Sequence, residues 1–175
     1  MAEEKKEKWL NYLALSTVIL AVCATLSTFK GGGYSTRSLM NQSKASDQWA
    51  FYQSKSMKSY MFDMQADNFE LQKVNAKSDI ALKFQEKIEQ YHKKVEQYEK
   101  EKAEIKQKAE ECEKERDMNK EHANIFGIAV IFLQVSILLS SIAALIKKPL
   151  IWYASMAIGV VGVFYFLDGF FLFLK

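Results

Sequence analysis

Residues 81–112 read ALKFQEKIEQYHKKVEQYEKEKAEIKQKAEEC. Within them Ala81, Phe84, Ile88, Tyr91, Val95, Tyr98, Lys102, Ile105, Ala109 and Cys112 recur at alternating steps of three and four. That spacing lays them along one stripe of an α-helix, with glutamate and lysine covering the remaining surface. The stripe predicts a coiled-coil seam through Phe84, Ile88, Tyr91, Val95, Tyr98 and Ile105. Charges outside it mix both signs, the pattern of a solvated face and not of a nucleic-acid patch. Beyond Cys112 the seam would pass through Arg116 and Asn119, so packing is expected to loosen there.

Such a helix needs a partner, and the chain supplies one upstream. Neither Gly nor Pro occurs from Tyr34 to Phe126. One uninterrupted helix over that stretch would reach about 135 Å at about 1.5 Å per residue. Apolar blocks at both of its ends require the chain to come back to the face it left. Asn75-Ala-Lys-Ser-Asp79 lies near the midpoint and is the predicted turn. The first arm shows Ala50, Gln53, Met57, Tyr60, Met64, Asp67, Leu71 and Val74 at three-four spacing. Folding at Lys77 would set Leu71 near Phe84, Met64 near Tyr91 and Tyr60 near Val95. Trp49, Phe51, Tyr52, Phe62 and Phe69 fall off this stripe, which leaves the arm apolar on more than one side. They are the predicted contact with a second copy or with another protein.

The outer parts of the chain read differently. Overall 49% of residues are hydrophobic and 26% charged, but the two kinds are segregated. Trp9–Phe29 and Ile125–Ile146 carry no charge, and Leu150–Leu174 carries only Asp168. Crossing a hydrocarbon core of about 30 Å takes about 20 apolar residues. The predicted fold class is all-α, with three transmembrane helices and a long antiparallel coiled-coil hairpin between spans 1 and 2. Its divisions are a tail and first span over 1–29, a Gly-rich hinge over 30–37, the hairpin over 38–124 with its turn near 75–79, and spans over 125–146 and 150–174. The first block is longer than a secretory h-region and no small-x-small site follows it, so it is expected to stay as an anchor. Lys5, Lys6 and Lys8, with Lys147 and Lys148 in the short turn, outweigh Lys175 at the opposite short end. Positive-inside bias then places the N-terminus in the cytoplasm and the hairpin across the membrane, although Lys30 and Arg37 weigh the other way. The formal charge of +3 is the small residue of 24 basic and 21 acidic groups and points to no acidic partner.

Residues that could carry chemistry are few. Gly31-Gly-Gly33 lacks the Gly-Lys-Ser/Thr ending of a phosphate loop and is read as a hinge. Thr17, Ala21 and Thr25 make a small-residue ridge on the first span, and Ser155, Gly159 and Gly162 another on the third. Gln134 is expected to hydrogen-bond a neighbouring helix. Asp168 would form a ring of acids at a pore mouth in an oligomer, or else reach water or lysine near the end of its span; the second reading is preferred. Cys23 and Cys112 are too few for a disulfide framework. His92 and His122 have no converging acids or cysteines and read as surface residues of the hairpin. No catalytic, cofactor or metal site is expected, and no enzyme activity or small-molecule substrate.

Residues 15–38, LSTVILAVCATLSTFKGGGYSTRS, and 45–56, ASDQWAFYQSKS, together with the three-span layout and its helical insert, resemble a bacterial membrane-protein family, domain of unknown function 4337. The resemblance covers essentially the whole chain. It implies a bacterial inner-membrane location and brings no catalytic residues with it. The function expected is a homo-oligomeric inner-membrane scaffold projecting a coiled-coil stalk, in contact with lipid and with copies of itself. The alternatives are an oligomeric ion channel and an accessory subunit docked on another membrane protein.

Overall fold

The structure, a computed structural model, describes residues 2–172, with side chains from Lys8 onward. Phe173, Leu174 and Lys175, at the end of the expected third span, lie outside the described residues, as do the side chains of Lys5 and Lys6. The described chain is all-helical: α1 is Ala2–Val74, α2 is Ser78–Ile146 and α3 is Pro149–Phe171. All three are long and apolar enough to cross a membrane.

The first turn falls where the sequence placed it. The Asn75 and Ala76 N–H groups close back on the Gln72 and Lys73 carbonyls, at 3.4 and 3.2 Å. The Lys77 carbonyl then accepts from Ile80 and Ala81, both at 2.9 Å, and Asp79 in the first turn of α2 suits its N-terminal dipole. The second turn is a Schellman-type stop. Lys147 is left-handed at φ 58°, and the Lys148 N–H bonds the Ala143 carbonyl at 3.3 Å. Pro149 opens α3, where its missing N–H costs no helical bond.

The chain divides into two compact units, Met1–Leu39 with Arg116–Lys175, and Met40–Glu115. In the first unit the segments of three helices pack together, and its composition is inverted relative to a water-soluble core. Its interior holds Leu20, Ala24, Ala129, Leu133 and Ala143 together with Ser27, Ser136, Ser140, Ser155, Gly159 and Gly162. Large apolar side chains such as Leu15, Val18, Phe29, Leu138, Leu145 and Val160 face outward. Small residues let the helices approach closely. A Cβ on Gly162 would sit 3.0 Å from the Leu133 backbone nitrogen, and one on Gly159 would sit 2.8 Å from Ser136 Oγ. On α1 the close face is Leu13, Leu20, Ala24 and Ser27, not the expected ridge, because Thr25 is exposed.

The second unit is an antiparallel helix pair. Pairings run Phe69 with Phe84, Phe62 with Tyr91, Ser59 with Glu99, Lys55 with Glu101 and Asn41 with Glu115. On α2 the packed stripe is the expected one, with Ile88, Lys102, Ile105 and Ala109 buried and Phe84, Tyr91, Val95, Tyr98 and Cys112 half-buried.

The expected stripe on α1 is not the packed one. Met57, Tyr60, Met64, Leu71 and Val74 are all exposed, Val74 at 80%. The inner stripe runs Asn41, Ala45, Gln48, Tyr52, Lys55, Ser59, Phe62, Ala66, Phe69 and Lys73, again at unbroken three-four steps. It lies about 150° round the helix from the expected one. The physical reason is volume. Aromatic rings from both arms fill the seam, and Ala45, Ser59 and Ala66 leave them room.

Candidate functional site

In the hairpin unit the seam is an interleaved row of rings. Phe84, Phe69, Tyr91, Phe62 and Tyr98 alternate between the arms with centroid separations of 5.5, 5.7, 5.4 and 5.8 Å. Nearer the other end Trp49 meets Tyr52 edge-on at 5.7 Å, and its indole Nε1–H donates to Glu113 Oε1 at 2.9 Å. Four of the five residues expected to face a partner, Trp49, Tyr52, Phe62 and Phe69, are therefore half-buried against the chain's own second arm. Only Phe51 remains outside, with Lys55 Nζ 5.3 Å from its ring centroid. The apolar surplus is real, but its position is exchanged: Met57, Tyr60, Met61, Met64, Leu71 and Val74 form the unpartnered face.

The seam carries one buried charge. Lys102, 9% exposed, donates to both Glu99 oxygens at 2.8 and 3.0 Å, and lies 5.5 and 5.9 Å from the rings of Tyr52 and Tyr60. The Ser59 hydroxyl donates to Glu99 from the facing arm at 3.0 Å. The Lys102 hydrogen bond, then that of Ser59, holds the Glu99 carboxyl below its ordinary range, and Glu99 raises Lys102. A carboxylate lowered by folding stabilises the fold above its unfolded pKa, and the gain is lost as pH falls through the folded value. For Lys102 the gain is present below the unfolded lysine value and lost as pH rises past the folded one. The Glu99 side chain is 54% exposed. Solvent screening therefore keeps the pair to less than about 1 kcal/mol. Between pH 7 and about pH 3.5, the wild-type chain should lose more thermal stability by circular dichroism than Glu99→Gln does. Equal losses in both would show that this carboxylate does not contribute.

In the apolar unit the polar groups bond one another. Ser136 Oγ donates to the Ser155 carbonyl at 2.7 Å, and Ser155 Oγ donates to the Ser136 carbonyl at 2.8 Å. Ser140 Oγ lies 2.6 Å from Ser155 Oγ. The Trp152 indole donates to Ser16 Oγ at 3.2 Å. Serines and a tryptophan make these interhelical polar contacts, while Gln134, expected to make one, is exposed.

A second cluster gathers His122, Tyr34, Phe126 and the end of α3. His122 stacks on Tyr34 at 4.5 Å, and its Nδ1 lies 2.8 Å from the Gly169 carbonyl, which can only accept. His122 is thus half-buried and not a surface residue of the hairpin, whereas His92 is exposed. Tyr34 also stacks on Phe126 at 5.9 Å, and Phe126 meets Phe170 edge-on at 5.1 Å. Lys30 and Arg37 stand over the Phe170 and Tyr34 rings at 5.8 and 5.7 Å. Asp168 is 1% exposed, enclosed by this unit and not turned to water. The carboxylate therefore lies on no outer surface of this unit, in place of the expected position beside water or a neighbour's lysine.

The expected hinge is absent. Gly31, Gly32 and Gly33 are helical within α1 and none has positive φ. Gly31 packs instead, since a Cβ there would meet Phe126 Cβ at 3.0 Å. Gly32 and Gly33 have open space around them, and Gly32, with Ser27, Ser35, Asn124 and Gly127, borders a shallow groove of about 450 Å³. Nothing in the hydrophobic pattern marks this region, because its apolar partners lie on a helix distant in sequence.

Comparison with known proteins adds one relationship. No curated protein and no solved structure matches the chain. A family model described as Domain of unknown function (DUF4337) matches residues 9–172, the three apolar segments and the whole helical insert alike. Because that match takes in almost every described residue, the chain belongs to the DUF4337 family.

Proposed function

We propose that this protein is a three-span, homo-oligomeric scaffold of a bacterial inner membrane that presents a coiled-coil hairpin as its working surface. The N-terminus and the Lys147-Lys148 turn lie in the cytoplasm and the hairpin lies beyond the opposite face. Three apolar helices, packed through small and hydroxylated residues and studded outside with leucine, valine and phenylalanine, support the membrane assignment. The polar, heptad-spaced arms support the coiled coil.

The observation that carries the scaffold reading is the outer face of the first arm. Its inner seam is already filled, yet Met57, Tyr60, Met61, Met64, Leu71 and Val74 continue at helical spacing in the open. Contiguous apolar surface of this kind marks an interaction site, and methionine adapts well to a repacked partner. A second copy of the same arm supplies matching surface. A photo-reactive p-benzoylphenylalanine at position 64 should therefore trap a product of about twice the 20.2 kDa chain in intact membranes. Capture of a different polypeptide would make the protein an accessory subunit, and no product at all would leave the face without a role.

A further inference from the structure

We infer that a second surface joins two copies inside the bilayer: the outward face of α2, on which Gln134 of each copy is the hydrogen-bonding partner of Gln134 of the other. The inference rests on reading 125–146 as a membrane span. Gly127, Ile131, Gln134, Leu138, Ser141 and Leu145 are all exposed and follow steps of four, three, four, three and four. Ile131, Gln134, Leu138, Ser141 and Leu145 form a straight seam on the side of α2 turned away from the chain's own bundle, and Gly127 continues it beside the groove shared with α1.

Gln134 is out of place there. Several other polar side chains of the apolar segments are supplied within the chain, Ser136, Ser140 and Ser155 by one another. Thr17, Thr25, Ser27 and Ser141 return their hydroxyls to a carbonyl one turn back, at 2.8 to 2.9 Å. A primary amide has two donors and an acceptor, more than one carbonyl can satisfy. By helical rise Gln134 sits about 13–18 Å from either end of its apolar segment. That is too deep for so short a side chain to reach interfacial water, and lipid tails offer no partner.

A second copy does offer one. Two chains inserted in the same sense and related by a two-fold axis along the membrane normal bring identical residues to equal depth. Because an amide both donates and accepts, each Gln134 can give one N–H to the other's carbonyl, two reciprocal hydrogen bonds across the axis. A single polar position in an otherwise apolar seam also fixes its register. Ile131, Leu138 and Leu145 supply contact area above and below. Gly127, where a Cβ would meet nothing within 4 Å, lets the helices converge at one end.

The test uses the full chain in a mild detergent or nanodiscs, by native mass and by cysteine cross-linking. Gln134→Leu should weaken self-association about tenfold, as expected from losing one to two interhelical polar bonds in a bilayer. Gln134→Asn should retain part of it, and Val160→Leu, on the outward face of α3, should change nothing. With Cys23 and Cys112 replaced by alanine, Ile131→Cys and Leu138→Cys should each form disulfide-linked dimers on oxidation, and Val160→Cys should not. If Gln134→Leu keeps the wild-type oligomer and positions 131 and 138 do not cross-link, this interface is overturned while the scaffold reading stands. A wild-type protein that is a single chain overturns both.

Discussion

Gly162→Ala should destabilise the three-helix unit by about 1–3 kcal/mol, the usual cost of forcing one extra methyl into a filled interior. Its Cβ would lie 2.9 and 3.0 Å from the Leu133 side chain and 3.0 Å from the Leu133 backbone nitrogen. A leucine side chain can swing aside, but a backbone nitrogen moves only if α2 and α3 separate. Gly159→Ala would press on Ser136 Oγ at 2.8 Å and disturb its bond to the Ser155 carbonyl, so a comparable loss is expected. Gly33→Ala is the contrast. Its Cβ meets nothing within 4 Å, and removing glycine from a helix should leave stability unchanged or raise it by about 0.5–1 kcal/mol. Unfolding in mixed micelles by near-ultraviolet circular dichroism measures all three. Equal stability of Gly162→Ala and Gly33→Ala would mean that the helices are not held at this separation.

The contrast between these glycines shows what one sequence can and cannot disclose. Gly159 and Gly162 were legible because small residues at membrane-helix spacing have one common use, close approach. Gly31 to Gly33 were not. Three glycines in a row cost a helix about 1 kcal/mol each relative to alanine, so a break was the natural reading. The helix continues nevertheless, and Gly31 is held against Phe126 by packing that no local pattern encodes. Asp168 was misplaced for a related reason. Distance from the end of a span says how far a carboxylate stands from water, but its enclosure depends on what the other helices put around it.

The same limit explains the hairpin. Its turn was legible from Asn75 to Asp79, and the seam of α2 from a stripe dominated by apolar and aromatic residues. The seam of α1 was hidden because Asn41, Gln48, Lys55, Ser59 and Lys73 occupy half of it. Polar and small residues serve there because Tyr91, Tyr98 and Phe84 project from the other arm and fill the space between. Volume is shared across the interface, so one arm's pattern does not determine its inner face. The more apolar stripe was the obvious choice, and it is the one left outside.

Phe62→Ala and Met64→Ala separate the two faces by experiment, and their order should be opposite in stability and in assembly. Phe62 lies 5.4 Å from Tyr91 and 5.8 Å from Tyr98, with Lys94 Nζ 5.4 Å from its ring centroid. Its removal deletes one ring from the interleaved row and leaves a void that neighbouring rings cannot fill without shifting. A buried Phe→Ala costs about 3–5 kcal/mol, and partial exposure here brings the expected loss to about 2–3 kcal/mol. Met64 is 58% exposed, so its truncation should change hairpin stability by less than about 0.5 kcal/mol. Met64→Glu extends the comparison, because a charge on the outer face is harmless to a lone hairpin but intolerable in a self-associated one. The expected result is a Phe62→Ala protein that unfolds at lower temperature and a Met64→Glu protein that folds normally but loses native mass. If Met64→Ala were the destabilising change, the inner and outer faces would have to be exchanged, and with them the surface assigned to the partner.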